Sequence, residues 1–317
     1  MIRKKVLIFG ASGQIGKYCI RRLVRNNFRV IAVTRNTHQK GYILKTQAPI
    51  GFIDIRELDL NNIDKIKKLI DESDICLNLI GILYEKGKKN TFEKIHVNFP
   101  EIISKLCKEK NKNLIHVSAL GLSKAKDSKY AISKINGENK IRQNLPEATI
   151  IKPSIVYSVD DNFTTRFMSI LGIVPFFPLY YNGLTKFTPV HVTDVAELIC
   201  HVITKEIFSK DIEVVGPQVL SFGEIIKKII SSINKKRILL PMPLFLAKIS
   251  ASFLQVLPNP LITRDQLNLL RYDNVKSENG ITNFDIGCPS KILFDEGIKK
   301  YAYNWRQGGE FSIEKNN

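Results

Sequence analysis

Apolar and polar positions fall into alternating blocks along the first half of the chain. Short Val- and Ile-rich runs, apolar on both faces, are each followed by a longer charged segment with apolar residues at helical spacing. Lys5–Phe9 predicts a strand, Ile15–Asn26 a helix and Arg29–Thr34 the next strand, and Gly51–Leu58 contains another. Ile63–Glu72 predicts a helix, Ile75–Ile80 a strand, Asn98–Lys110 a helix, Asn113–Ser118 a strand, Lys129–Asn144 a helix and Thr149–Lys152 a strand. Strands buried on both faces, each followed by a helix, give right-handed crossovers and a doubly wound α/β fold on a parallel sheet. Beyond Pro153 the pattern loosens, Pro and aromatic residues rise ("VPFFPLYY"), and strands become rarer. The expected organisation is a first domain over residues 1–157 and a smaller C-terminal lobe over 158–317. Within that lobe 186–217 returns to the first sheet, because Asp211–Val215 again has the pattern of a buried strand.

Ile238–Ile262 is long and apolar, but Pro241, Pro243, Pro258, Pro260 and Lys248 interrupt it. Only Leu244–Leu257 can be one helix, about 21 Å long at 1.5 Å per residue, short of the roughly 30 Å core of a bilayer. It reads either as an amphipathic helix packed on the second lobe or as a face lying on a membrane or a large complex.

Of the 317 residues 44% are hydrophobic, which excludes wholesale disorder. The net charge of +18 admits phosphate-bearing ligands, an anionic membrane surface, nucleic acid or an acidic partner. Much of the excess is Lys among Asn and Ile, and turns such as Lys86–Lys89 lack interleaved aromatics, so no nucleic acid is expected. Cys19, Cys76, Cys107, Cys200 and Cys288 form no CxxC pair and the histidines no HExxH, so no metal is expected and the thiols read as reduced. The apolar run Val6–Phe9 is too short for a signal-peptide core, which points to a cytoplasmic protein, or one peripheral on the cytoplasmic side of a membrane.

The candidate chemistry begins directly after the first strand. "GASGQIG" sets Gly10, Gly13 and Gly16 where the chain turns, where a pyrophosphate approaches the backbone, and where the helix packs on the sheet. With Ser12, Gln14 and Ile15 they place free N–H groups and a partial positive charge toward a dinucleotide's phosphates. The second strand ends "VTRN", without the carboxylate that accepts from a ribose 2′-OH. Arg35 can instead pair with a 2′-phosphate, so NADP(H) is expected over NAD(H). Asp59 and Leu60 in "ELDL" fall where they could border the adenine, and Gly81 ends "NLIG" where the cofactor would cross the sheet edge. "YAISK" puts Tyr130 and Lys134 on one helix face, twelve residues after Ser118 in "HVSALG". A neighbouring ammonium and the positive nicotinamide favour the phenolate and can pull the Tyr130 pKa down. The tyrosine could then pass a proton to or from a carbonyl or alcohol while Ser118 bonds the same oxygen.

Ser118, Tyr130 and Lys134 resemble the Ser, Tyr and Lys of the short-chain dehydrogenase/reductase family, in its extended and atypical branches. The glycine turn, Asn98 in "HVNFPEII", "SKINGE" and Pro153 in "IIKPSIVY" are similar to the same family. The resemblance implies a Rossmann core under a small C-terminal lobe, with Lys134 anchoring the nicotinamide ribose. "HVSALG", "YAISKINGE", "FTPVHVTDVAELI", "LPNPLITRDQL" and "YNWRQGGEF" together resemble the dinucleotide-binding accessory subunits of respiratory complex I (NADH:ubiquinone oxidoreductase) and their bacterial relatives, from Lys5 to about Phe311. This implies tightly held NADPH, a structural or assembly role, and a place beside complex I subunits, the membrane surface and the quinone entrance. The complete Ser/Tyr/Lys set equally suits a free NAD(P)-dependent reductase, dehydrogenase or epimerase/dehydratase, and a redox-sensing module would use the same cleft without hydride transfer. Ser158 follows Tyr157 where many extended members carry Gly. Asp194 reads as a helix N-cap, and His96, His116 and His191 as satisfied core residues. Phe163, Phe167, Phe176, Phe177, Tyr180 and Tyr181 read as packing of the second lobe.

Overall fold

The computed structural model describes residues 3–243, 245 and 263–311. Six strands alternate with helices in the first half: β1 (Lys5–Phe9), α1 (Gln14–Arg25), β2 (Arg29–Thr34), α2 (Thr37–Lys45), β3 (Ile53–Glu57), α3 (Ile63–Asp71), β4 (Ile75–Asn78), α4 (Phe99–Glu109), β5 (Asn113–Val117), α5 (Lys129–Asn144) and β6 (Thr149–Pro153). The second half carries β7 (Val156–Tyr157), α6 (Thr164–Ile173), β8 (Phe176–Tyr180), β9 (Lys186–Phe187), β10 (Val190–His191), α7 (Val192–Thr204), β11 (Asp211–Val214), β12 (Leu220–Ser221), α8 (Phe222–Ser232), β13 (Ile238–Met242), α9 (Arg264–Leu269) and α10 (Phe294–Ala302).

Seven strands form one sheet in the order β11-β6-β5-β4-β1-β2-β3, every pair parallel. β1 is central, in register with β2 from Lys5–Arg29 to Phe9–Val33 and with β4 from Val6–Ile75 to Phe9–Asn78. Because side chains alternate along a strand, Val6, Ile8, Val30, Leu77 and Ile115 face a core shared with α1 and α7. Leu7, Phe9, Ile31, Cys76 and Leu114 face the other way, onto Ile66, Ile103 and Ile141 of α3, α4 and α5. Phe9 meets Phe99 edge-on, ring centroids 5.2 Å apart. Chain order reverses on either side of β1, and at such a switch point the carboxyl ends of the strands open into a crevice. A separate core of Tyr157, Met168, Phe177, Phe222, Ile226 and Phe294 fills the second half.

Three elements departed from the pattern. The α4 helix is preceded by a π-helical turn, Glu93–Asn98, against which α5 packs so closely that a Cβ at Gly137 would lie 1.8 Å from the His96 carbonyl oxygen. The α2 helix buries only Gly41 and Leu44, too few positions to show a helical period. The stretch from Ile238 begins with a strand, since β13 pairs in parallel with β8, Ile238 opposite Phe176 and Leu240 opposite Pro178. The expected helix Leu244–Leu257 lies outside the described residues, apart from Phe245. Among the described residues no helix is long and apolar enough to cross a membrane.

Candidate functional site

The crevice opens where β1 ends. Gly10 has φ +83, a conformation that excludes most side chains, and its carbonyl accepts from Gly13 N at 3.0 Å to close the turn. A Cβ at Gly16 would lie 2.4 Å from the Ala11 carbonyl oxygen, so only glycine lets α1 start this close to β1. No side chain caps α1 and no acidic residue stands in its first turn. The first-turn amides therefore remain an anion-binding terminus, and Gly13 keeps the approach to it clear. Such a terminus fits a dinucleotide's diphosphate.

At the adenine side the expected residues stand at the rim. Ser12 Oγ lies 3.4 Å from Thr34 Oγ1 at the end of β2. Arg35 is exposed and donates through Nη1 to Asn90 Oδ1 at 3.1 Å. Glu57, a carboxylate at the end of β3, is occupied by Thr37 N (2.7 Å) and Thr37 Oγ1 (2.8 Å). Asp59 is exposed and holds its own turn through Asn61 N at 3.0 Å, and Leu60 packs on the α3/α4 core. Gln14 reaches across to Val156 and Ser158, while Ile15 packs into the α1/α7 core.

At the other end α5 carries Tyr130 and Lys134 to the sheet edge. Ser128 caps it by accepting from Ala131 N at 3.2 Å. Asp265 at the start of α9 accepts from Lys129 N (2.6 Å), Tyr130 N (3.0 Å) and Ser128 Oγ (2.9 Å). Lys134 is buried, donates to Val117 O at 3.2 Å, and stands so that a Cβ on Gly81 would be 3.3 Å from its Nζ. Burial lowers its pKa to about 8. At Tyr130 burial, then the carboxylates of Asp265 and Glu138, raise the pKa to about 12.

Ser118 does not join Tyr130 in a hydrogen bond among the described residues. Its hydroxyl donates to Glu138 Oε1, and Glu138 Oε2 lies 3.1 Å from Lys152, which pairs with Asp211 at 2.8 Å. Ala119 packs with Tyr130 on the small cluster of Leu122, Ala125 and Ala131. Pro153 ends β6 and its carbonyl accepts from Leu120 N at 2.9 Å.

Asn98 ends the π turn exposed, and His96, two residues earlier, is the one turned inward. Its Nε2 accepts from Ile82 N at 3.1 Å, its Nδ1 lies 2.8 Å from Ser133 Oγ, and its ring meets Tyr130 edge-on at 5.4 Å. His116 is not the satisfied core residue expected: Nδ1 lies 3.0 Å from Asn78 Nδ2, but buried Nε2 has no partner among the described residues. Asp194 is not an N-cap. His191 caps α7 through Thr193 N at 3.3 Å, and Asp194 accepts from Lys291 N and Ile292 N, both at 3.1 Å, tying down the C-terminal segment.

Glu138 had a signal in the sequence, four residues after Lys134 on the same helix face. His96 and Asp265 had none, because a ring turned in by a π turn and a cap supplied from 135 residues away leave no local pattern.

A glycine-lined crevice at the switch point of a parallel sheet, with a Tyr-xxx-Lys helix beside it, defines the class. The chain belongs to the NAD dependent epimerase/dehydratase family, whose model matches residues 6–216. Over nearly its whole length it is similar to the mitochondrial NADH-ubiquinone oxidoreductase 40 kDa subunit of Neurospora crassa, 29% identical over 304 residues, covering 95% of this chain and 78% of that protein. It is also similar to mitochondrial NADH dehydrogenase (ubiquinone) 1 alpha subcomplex subunit 9 of Mus musculus, 30% identical over 308 residues, covering 94% of this chain and 81% of that protein. The resemblance to complex I accessory subunits thus extends well beyond the short motifs that first carried it. The fold is similar to that of dTDP-glucose 4,6-dehydratase from Bacillus anthracis, solved in complex with NAD, at a TM-score of 0.68 and 15% identity, covering 95% of this chain and 96% of that one. That likeness establishes a Rossmann fold.

Proposed function

We propose that this chain holds a nicotinamide dinucleotide, NADP(H) in preference to NAD(H), as an accessory or assembly component of a respiratory NADH:ubiquinone oxidoreductase. The observation that carries the reading is the uncapped, acid-free terminus of α1 beside Gly10, held at φ +83, and Gly16, which admits no Cβ, in a chain alike over 95% of its length to an oxidoreductase subunit. Gly10, Ser12, Gly13, Gln14, Ile15 and Gly16 would seat the diphosphate, Asp59 and Leu60 would border the adenine, and Gly81, Asn98, Tyr130, Lys134 and Pro153 would line the nicotinamide end. Preference for the extra phosphate is supported by exposed Arg35 at the end of β2 and by the engagement of Glu57 with Thr37. A bound nicotinamide would supply hydride exchange, but one feature favours retention over turnover: the Ser118 hydroxyl is committed to Glu138. The exposed side chains Phe176, Ile238 and Leu240 beside exposed Lys236 suit a peripheral place on a membrane-bound complex near its quinone, on the cytoplasmic face. Titration tests the cofactor: NADPH should bind more tightly than NADH, and Arg35→Asp should cost NADPH about tenfold or more in affinity, as loss of a charge-assisted pair does. NADH binding tighter than NADPH, with no effect of Arg35→Asp, would refute the preference.

A second reading, a free reductase, dehydrogenase or epimerase/dehydratase, is favoured by Tyr130 and Lys134 sharing one helix face with Lys134 beside Gly81. It predicts turnover of NADPH with a small carbonyl that Tyr130→Phe abolishes while binding survives. If the wild-type protein turns over no such substrate, the retention reading stands.

A further inference from the structure

We propose that Gln14, Lys17, Ser158 and Asp160 form a clasp that fastens the second lobe onto the diphosphate-binding turn and sets how long the dinucleotide stays. The inference rests on the reading that the crevice holds a dinucleotide. Gln14 and Lys17 leave the first turn of α1 three residues apart and so share a face. Gln14 Nε2 donates to Ser158 Oγ at 3.0 Å and to Val156 O at 3.3 Å. Ser158 Oγ in turn donates to Asp160 Oδ1 at 2.8 Å, and the other carboxylate oxygen of Asp160 pairs with Lys17 Nζ. The hydroxyl thus accepts from one lobe and donates within the other, closing a continuous path from Gln14 to Lys17. Ser158 is fully buried, and the side chains of Lys17 and Asp160 are only 20% and 32% exposed, so the ion pair is more sheltered than one on an open surface.

The loop bearing Ser158 and Asp160 is anchored from behind. Buried Asp161 accepts from Thr164 N (3.1 Å), Thr164 Oγ1 (2.6 Å) and Thr165 N (2.9 Å) at the start of α6. Thr164 Oγ1 also bonds Tyr301 OH on α10 at 2.6 Å. Residues 156–160 are therefore not a free flap. They are the end of a braced lobe, and they meet α1 at the turn whose amides face the crevice. A diphosphate seated on those amides leaves when this contact parts, so the clasp acts on dissociation more than on affinity of first encounter. Lys17, Ser158 and Asp160 are positioning residues in this scheme.

The test uses the full-length protein loaded with NADPH and chased with excess NADP+, following nucleotide fluorescence. Ser158→Gly, which removes donor and acceptor together, and Lys17→Gln should each raise the off-rate by about tenfold or more, the effect of losing one hydrogen bond to a charged group. Association rates should stay within about twofold, since the amides themselves are untouched. Lys17→Arg, which keeps the ion pair with Asp160, should preserve slow release, and melting of the nucleotide-free variants shows that each is folded. Off-rates unchanged in Lys17→Gln, or a Lys17→Arg variant as fast as Lys17→Gln, would overturn the clasp. If the unmodified protein binds neither NADPH nor NADH, it is the reading of the crevice that fails, and this shows before any variant is made.

Discussion

His96 shows how one side chain ties the Tyr130 end of the crevice together. Its Nε2 accepts from Ile82 N, which leaves the ring proton on Nδ1 to donate to Ser133 Oγ, and Ser133 in turn donates to Tyr130 O at 2.8 Å. The bond accepted from Ile82 N requires neutral imidazole, because a protonated ring offers only donors. Burial, and then the Lys134 ammonium, push its pKa down to about 3. An unfolded chain takes up this proton near pH 6.5, the folded one only near 3. The stabilisation is therefore complete above 6.5 and lost as pH falls toward 3. His96→Gln can keep both bonds without titrating. Urea denaturation should show the stability of wild type relative to this variant falling by about 2 kcal/mol between pH 7 and 4.5, whereas parallel curves would mean that the ring is solvated. Sequence could identify Tyr130 and Lys134, because a helical spacing of four is a local property. It could not give the Tyr130 pKa, which depends on a carboxylate 135 residues away.

Among the elements, α5 is the one whose position matters most. It is held at its N-terminus by Ser128 and Asp265, in its middle by the contact of Gly137 with the π turn, and near its end by Glu138 through Ser118 and Lys152. Asp265 lies three residues after Ile262, the end of the apolar stretch, so a cap of the Tyr130 helix comes from the second half of the chain. Asp265→Ala should destabilise the protein by about 1–2 kcal/mol, the usual cost of a lost helix cap. It should also lower the Tyr130 pKa, since this carboxylate is one of its two raising charges. Denaturation and ultraviolet titration read the two effects, and an unchanged titration would place the carboxylate's influence elsewhere. The strands β1 to β6 were legible because strands buried on both faces read as continuous apolar runs. The β13 strand was hidden by Pro241 and Pro243, which an edge strand tolerates and a central one does not.

For the molecule as a whole, the crevice between the ends of β1 and β4 is where fold, charge and kinship meet. The turn that begins α1 offers amides without a side-chain cap, Arg35 adds a cation at the rim, and the net charge of +18 favours anionic ligands at long range. The glycine spacing made this crevice readable, since three glycines at those positions answer three steric demands in one turn. The joining of the two halves through Gln14, Lys17 and Asp265 was not readable, because each contact links residues more than 130 positions apart. Native mass spectrometry of the purified protein tests the central claim most directly. The account predicts a species heavier by one NADP(H), released slowly on dilution. A protein that is nucleotide-free as isolated and stays so in millimolar NADPH and NADH would contradict it.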